Sequence, residues 1–246
     1  MRAAQLTEHA GPDAVRVTDI PEPEAGDSLV LVDLYAAGVS FPDLLQTTGG
    51  YQMVRPLPCV LGAEGAGIVR SAPEGSGLIA GQRVAVLSIA GSWQQTVALP
   101  RELVFPLPDN VSLTAGAGML MNYFTAHFAL DERARYRAGE TVLAHGAPGG
   151  RAVVLGFTGG SIPTVKVNRL LLKNISVVGA GWGEYLRTDP GYPARQWAAL
   201  EPLLRDGTLV VPEPTLHPLD EAPAALRSLE NRSATGKVAL DLTSRP

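Results

Sequence analysis

Two apolar runs in the second half of the chain, ETVLAHGA (residues 140–147) and RAVVLGF (residues 151–157), are separated only by Pro148-Gly149-Gly150. Each is short enough and apolar enough to be a buried strand. Neighbouring parallel strands, however, need a crossover of roughly a dozen residues or more. Three residues cannot supply it. The two runs therefore either fold back as a hairpin, or are strands whose connecting segment is missing from this chain. The pattern that follows favours parallel strands: a helical stretch at residues 167–173 leads into another apolar run at 176–182. Asp189-Pro190 opens a helix through Asp206, LVVPEPTL (209–216) returns to extended chain, Asp220 caps EAPAALRSLEN, and a last strand covers 237–242. This half reads as α/β.

The first hundred residues follow a different rhythm. Short β-branched runs at 14–20, 28–36, 67–71, 83–87 and 93–99 are cut by PEPEAGD, TTGGY, RPLP and PEGSG, in which Pro presets turns and Gly supplies positive φ. This spacing predicts a small antiparallel barrel. From Ser112 the periodicity becomes helical. Ser112 or Thr114 can cap the N-terminus, and Met119, Leu120, Tyr123, Phe124, Phe128 and Leu130 keep helical spacing until RARYRAGE. Two domains are expected: a barrel of residues 1–115 to which 216–246 return, and a segment of 116–215 between them.

Composition narrows the function classes. At 246 residues the chain is long enough to bury a core, and its 46% hydrophobic content argues against disorder. A net charge of −4 gives no basic footprint for nucleic acid. One cysteine, Cys59, excludes an internal disulfide and fits a reducing compartment. With four scattered histidines it leaves no Cys/His metal cluster. His127 and His145 lack partners at ligand spacing and read as packed or hydrogen-bonded side chains. No run approaches a membrane span and the first residues lack a leader pattern, so a cytoplasmic protein is expected.

The segments YAAGVSFPDLLQTTGGY (35–51), PLPCVLGAEGAGIV (56–69), GQRVAVL (81–87), MNYFTAHFAL (121–130), GETVLAHGA (139–147), GRAVVLGF (150–157), VNRLLLKNISVVGAGWGEY (167–185) and ATGKVAL (234–240), in that order, resemble the medium-chain dehydrogenase/reductase superfamily. Within it they are similar to the zinc-independent NADPH:quinone oxidoreductase branch. The resemblance implies an α/β protein with a GroES-like β-barrel and a Rossmann-type nucleotide domain, shortened by a large internal deletion near residues 147–150. Zinc-dependent relatives have Cys where this chain has Ser40, and Gly-His-Glu where it has Gly62-Ala63-Glu64, so no catalytic zinc is expected.

A dinucleotide fold needs a Gly-rich turn between its first strand and the next helix, where backbone N–H groups and the helix dipole meet the pyrophosphate. After VLAHGA this chain offers only Pro148-Gly149-Gly150. These glycines are either a remnant of that turn or the turn before a later strand, and no helix follows them.

The chemistry implied by the resemblance is hydride transfer from NADPH to a quinone or α,β-unsaturated carbonyl, with the growing oxyanion met by hydrogen-bond donors rather than a metal. Candidate catalytic donors are Ser40, Tyr51 and Asn122. Candidate cofactor contacts are Thr125, His145, Gly146, Gly156, Phe157, Ala180, Gly181, Trp182 and Lys237. Asp43 reads as a helix cap, and Glu64 as a buried carboxylate paired with an Arg. The strand at 176–182 implies a homodimer paired through that edge. The opposing reading is an inactive remnant that lacks the phosphate turn and serves as a dimerising or structural module.

Overall fold

The computed structural model describes residues 1–24, 26, 28–53, 55–88, 91–140, 142, 151–157, 162 and 164–243. His145, Gly146 and the Pro148-Gly149-Gly150 junction lie outside them. In chain order the elements begin with β1 (Arg2–Leu6), β2 (Val15–Asp19), β3 (Val30–Val39), α1 (Phe41–Thr47), β4 (Cys59–Val60) and β5 (Glu64–Ser71). There follow β6 (Arg83–Leu87), β7 (Thr96–Leu99), β8 (Val104–Pro106), α2 (Leu113–Ala117) and α3 (Leu120–His127). Next come β9 (Arg151–Val154), α4 (Val167–Lys173), β10 (Ser176–Gly179), α5 (Trp182–Thr188) and α6 (Tyr192–Arg205). The chain closes with β11 (Thr215–Pro218), α7 (Ala222–Glu230) and β12 (Val238–Asp241).

The chain divides into two compact units: residues 1–121 with 197–246, and residues 122–196. The expected division lay at 115/116 and 215/216. The shift has a packing cause. Ser112 caps α2 by accepting the Ala115 N–H at 3.0 Å, and Ser112 and Thr114 both donate to Glu213. Trp197 stacks at a tilt on Phe105, ring centroids 5.4 Å apart, and Asn110 donates to the Leu204 carbonyl. These contacts bind α2, the second half of α6 and the strand after it into the first unit.

In that unit β11, β12, β3, β5, β6 and β8 form one sheet in that order, with β7 also paired to β3. Every pairing is antiparallel except β11 with β12. A second antiparallel sheet runs β2-β1-β4. The runs expected at 14–20, 28–36, 67–71 and 93–99 differ from β2, β3, β5 and β7 by a few residues at their ends, whereas β6 matches its pattern. The core between the sheets holds Leu6, Val32, Val69, Val84, Val86, Trp93 and Leu240, covered by Ala225 and Leu226 of α7. Gly67 lets β5 cross β3 at its bulge, because a Cβ there would stand 1.9 Å from the Asp33 carbonyl oxygen. Trp93, fully buried, anchors the interior by donating its indole N–H to the Gly38 carbonyl at 3.0 Å.

The helical pattern expected to run on from Ser112 is broken at Gly118, the C-cap of α2. A Cβ on Gly118 would meet the Lys237 Cγ at 2.7 Å, so the bare glycine leaves room for that lysine stem.

In the second unit β9 and β10 pair in parallel, Arg151 with Ser176 through Val154 with Gly179, with α4 between them in sequence. Parallel pairing is what the apolar runs and intervening helix predicted. An aromatic cluster of Phe124, Phe128, Trp182, Tyr185 and Tyr192 forms this unit's core. Gln196 is buried within it, accepting from the Trp182 indole at 2.8 Å and donating to the Phe124 carbonyl at 2.7 Å. Among the described residues no helix is long and apolar enough to cross a membrane.

Gly62 has φ of +98°, and a Cβ there would stand 2.4 Å from Trp93 Cδ1. Gly62→Ala therefore combines backbone strain with overpacking against a fixed indole and should cost about 2–4 kcal/mol in urea unfolding. Gly81→Ala has a similar φ of +84° but open space around it, so it should cost only the strain, about 1–2 kcal/mol. Equal losses at both positions would show that the indole contact is not what matters.

Candidate functional site

The end of β3 and the start of α1 place the first group of polar side chains. Ser40 is the N-cap of α1 and Pro42 sits in its first turn, where a missing N–H costs nothing. Asp43 reaches back: its Oδ2 accepts the Ser40 N–H at 2.8 Å and its Oδ1 accepts the Gly62 N–H at 3.1 Å. The expected capping role is thus present, and the same carboxylate also fastens α1 to the segment that leads into β5. Burial pushes the Asp43 carboxyl up to about 7, although the two N–H donors and the Lys237 charge pull it down.

Glu64, the first residue of β5, is fully buried. Its Oε1 accepts the Lys237 ammonium at 2.7 Å and the Ser40 hydroxyl at 3.3 Å, while its Oε2 accepts the Met121 N–H at 2.9 Å. A Cβ on Gly38 would lie 2.7 Å from Glu64 Oε1, so a glycine in β3 gives this carboxylate its space. Lys237 also donates to Ser40 Oγ at 2.8 Å. Ser40, Glu64 and Lys237 therefore close a triangle of hydrogen bonds. Glu64 thus accepts three hydrogen bonds, from an ammonium, a hydroxyl and a backbone N–H.

Tyr51 follows α1 in a loop. Burial, and then the Asp43 charge, push its phenol up, so it stays a neutral donor. With Leu6, His9, Gln46, Gly49, Arg55 and Cys59 it lines a cavity of about 10 Å³. That is about the volume of one water, and Gln46 Oε1, buried there, has no hydrogen-bond partner among the described residues. Burial raises the Cys59 thiol, which keeps it neutral.

The sequence candidates are thus placed unequally. Ser40, Lys237 and Tyr51 belong to the first unit, and Ser40 and Lys237 touch. Lys237, expected beside cofactor phosphates, lies just before β12 and pairs with Glu64, its side chain 15% exposed. Asn122, exposed, and Thr125, half-buried, lie on α3 in the second unit. Gly156 and Phe157 follow β9, with Phe157 exposed, and Ala180 and Gly181 follow β10. Ala180 is buried and its N–H donates to the Val154 carbonyl at 2.9 Å. The Trp182 indole is engaged by Gln196, so its polar edge serves the core. His127 Nδ1 is buried with no partner among the described residues. Among these residues no group of three His, Cys, Asp or Glu side chains is placed to hold a metal.

Sequence reasoning underrated Asp43 and Glu64. The Ser40-Phe-Pro-Asp43 spacing is a visible capping-box signal. The Glu64–Lys237 pairing, across 173 residues, has no local signal.

Residues 26–109 match the model of the alcohol dehydrogenase GroES-like domain. The synaptic vesicle membrane protein VAT-1 homolog of Rattus norvegicus is 37% identical over 153 residues, which are 61% of this chain and 38% of that protein. The match thus spans well under half the length of that relative. Quinone oxidoreductase-like protein 2 of Mus musculus is 26% identical over 324 residues, 98% of this chain and 92% of that protein. That alignment is longer than the chain itself, so it is opened by gaps on this side, as an internal deletion requires. A solved structure of a probable oxidoreductase from Mycobacterium abscessus superimposes with a TM-score of 0.83 at 30% identity, covering 98% of each chain. The quinone oxidoreductase of Thermus thermophilus, solved alone and with NADPH, gives 0.80 at 24%, covering 98% of this chain and all of its own. The mixed α/β architecture, a GroES-like barrel with a Rossmann-type sheet, is shared with these structures.

Asp43 yields a pH signature. Its folded pKa, about 7, lies above the ordinary 3.8. The native state therefore holds a proton that the unfolded chain releases between these values, and stability falls as pH rises through that window. The stability advantage of the wild type over Asp43→Asn should be largest near pH 4 and shrink to a plateau above pH 7 in urea titrations. An advantage that grows with pH would refute the raised carboxyl. Lys237→Met strands the Glu64 charge and should cost about 3–5 kcal/mol, much of it recovered in the Lys237→Met/Glu64→Gln double variant. A double-mutant cycle by urea unfolding checks it, and additive losses would mean the two groups are not coupled.

Proposed function

Because the chain belongs to the medium-chain dehydrogenase/reductase superfamily, in its quinone oxidoreductase branch, we propose that it reduces quinones or α,β-unsaturated carbonyls with NADPH and without zinc. The observation that carries this reading is the buried triangle of Ser40, Glu64 and Lys237. Fixed donors and charges in a dry setting are what a metal-free reductase needs to stabilise negative charge on a carbonyl oxygen. Ser40 stands where zinc-dependent relatives have a cysteine, and here its hydroxyl is engaged by an ammonium and a carboxylate.

The second unit fits the nicotinamide half of the cofactor. Gly156 and Gly179, at or just past the C-terminal ends of two adjacent parallel strands, have nothing within 4 Å of where a Cβ would be. Ligands of open α/β sheets bind at that end of the strands, and bare backbone there admits a flat ring. Gly156, Phe157, Ala180 and Gly181 would hold the ring. His145, Gly146 and the phosphate turn lie outside the described residues. When bound, the cofactor supplies a hydride. The protein's own part is to orient the carbonyl compound and exclude water: in the first unit Tyr51 is a neutral phenol donor, and in the second Asn122 and Thr125 are separate polar candidates. Support for NADPH comes from the neighbour solved with it.

A second reading has its own observation. Among the described residues the second unit's sheet has two strands of four residues each, and Leu155, Val167, Leu171 and Leu172 are 57–78% exposed. A chain shortened in this way would be an inactive remnant that associates through its sheet. A homodimer through residues 176–182 suits both readings, and a cytoplasmic location suits a reductase with a buried, free cysteine.

A fluorescence titration of the chain with NADPH separates the two readings. Saturable binding in the micromolar range, about −8 kcal/mol, followed by consumption of NADPH on adding a quinone, is the expected result. A folded chain that does not bind NADPH would sink the reductase reading and leave the remnant.

A further inference from the structure

We propose that the Lys237 ammonium is a catalytic hydrogen-bond donor that meets the negative charge developing on the substrate's carbonyl oxygen. This assignment rests on the reductase reading above and names the residue that performs its central electrostatic task.

An ammonium carries three N–H donors. Two are given to Ser40 Oγ at 2.8 Å and Glu64 Oε1 at 2.7 Å, and among the described residues the third has no acceptor. The side chain is 15% exposed and both bonds are part-buried, so the cluster is held but not sealed. Its neighbours are already committed. The Ser40 hydroxyl gives its one proton to Glu64, and Ser40 is itself only 8% exposed. Glu64 already accepts three hydrogen bonds, and Asp43 gives one oxygen to each of two backbone N–H groups. Lys237 is therefore the member of the cluster with both a positive charge and a donor to spare. Glu64 and the stem packing on Gly118 fix its position, so no reorganisation is needed when charge appears nearby.

The ligand class follows from this geometry: a planar conjugated carbonyl whose oxygen becomes an enolate or phenolate. A bound reduced nicotinamide would supply a hydride to the conjugated carbon of the carbonyl compound and be oxidised in doing so. A C–H bond forms and the π pair moves onto oxygen, beside the Lys237 N–H. Solvent then protonates the product, and Lys237 ends as it began, charged.

The test uses para-nitrophenol, whose phenolate carries a similar oxyanion and reports by absorbance without any cofactor. Bound to the wild-type chain, the probe should show about a tenfold higher phenolate-to-phenol ratio than free probe at the same pH. Ser40→Ala leaves the ammonium on Glu64 and should keep or strengthen that shift. Lys237→Met/Glu64→Gln, which removes the cation without stranding a charge, should abolish it. Loss of the shift in Ser40→Ala, its persistence in the double variant, or no binding of millimolar probe to the wild type would each overturn the proposal. NADPH binding without a phenolate shift would overturn this assignment alone. A shift without NADPH binding would overturn the reductase reading and leave Lys237 as an oxyanion donor.

Discussion

One buried ion pair organises the first unit. Glu64 and Lys237 stand at the start of β5 and just before β12, two strands that both flank β3, and their contact reaches the N-cap of α1 through Ser40 and the start of α3 through the Met121 N–H. Taking both charges out of water is expensive, and their attraction repays the cost only with good geometry and further hydrogen bonds. Here the carboxylate has all its partners and two glycines, Gly38 and Gly118, are shaped around the pair. Local choices in several elements thus serve one contact, which is the consistency across levels expected where a feature is specified rather than incidental.

Asp43 adds a second carboxylate to this region without adding a second base. Its two backbone donors tie α1 to Gly62, and its proton occupancy near neutral pH limits the charge crowded into the barrel. Together with the Trp93 indole, which donates to the Gly38 carbonyl, these bonds fasten this end of the barrel.

Much of this was legible in the chain. The runs that became β6, β9 and α4 kept close to their patterns because period and turn formers agree there, and Ser112 capped its helix as a serine before a helical run should. The harder features were non-local. At the break between α2 and α3, Gly118 packs against a lysine stem more than a hundred residues away, a contact that periodicity cannot register. The site's polar partners were named as separate residues, yet their assembly depends on the fold of β3 against β5 and β12. In the second unit the aromatic core was foreshadowed by spacing in α3, while the buried Gln196 bridge had no signal because a lone Gln in a helix looks like a solvated side chain.

The notch at Gly118 has an evolutionary corollary. The glycine is required only while a long side chain occupies the groove beside it, and the lysine stem fits only while that position stays bare. Substitutions at 118 and 237 are therefore not independent, and the order in which they arise decides whether either is tolerated. A lineage that shortened residue 237 first could refill residue 118 and restore a continuous helix, whereas one that changed residue 118 first would displace the cation. Among relatives, the two positions should vary together or not at all.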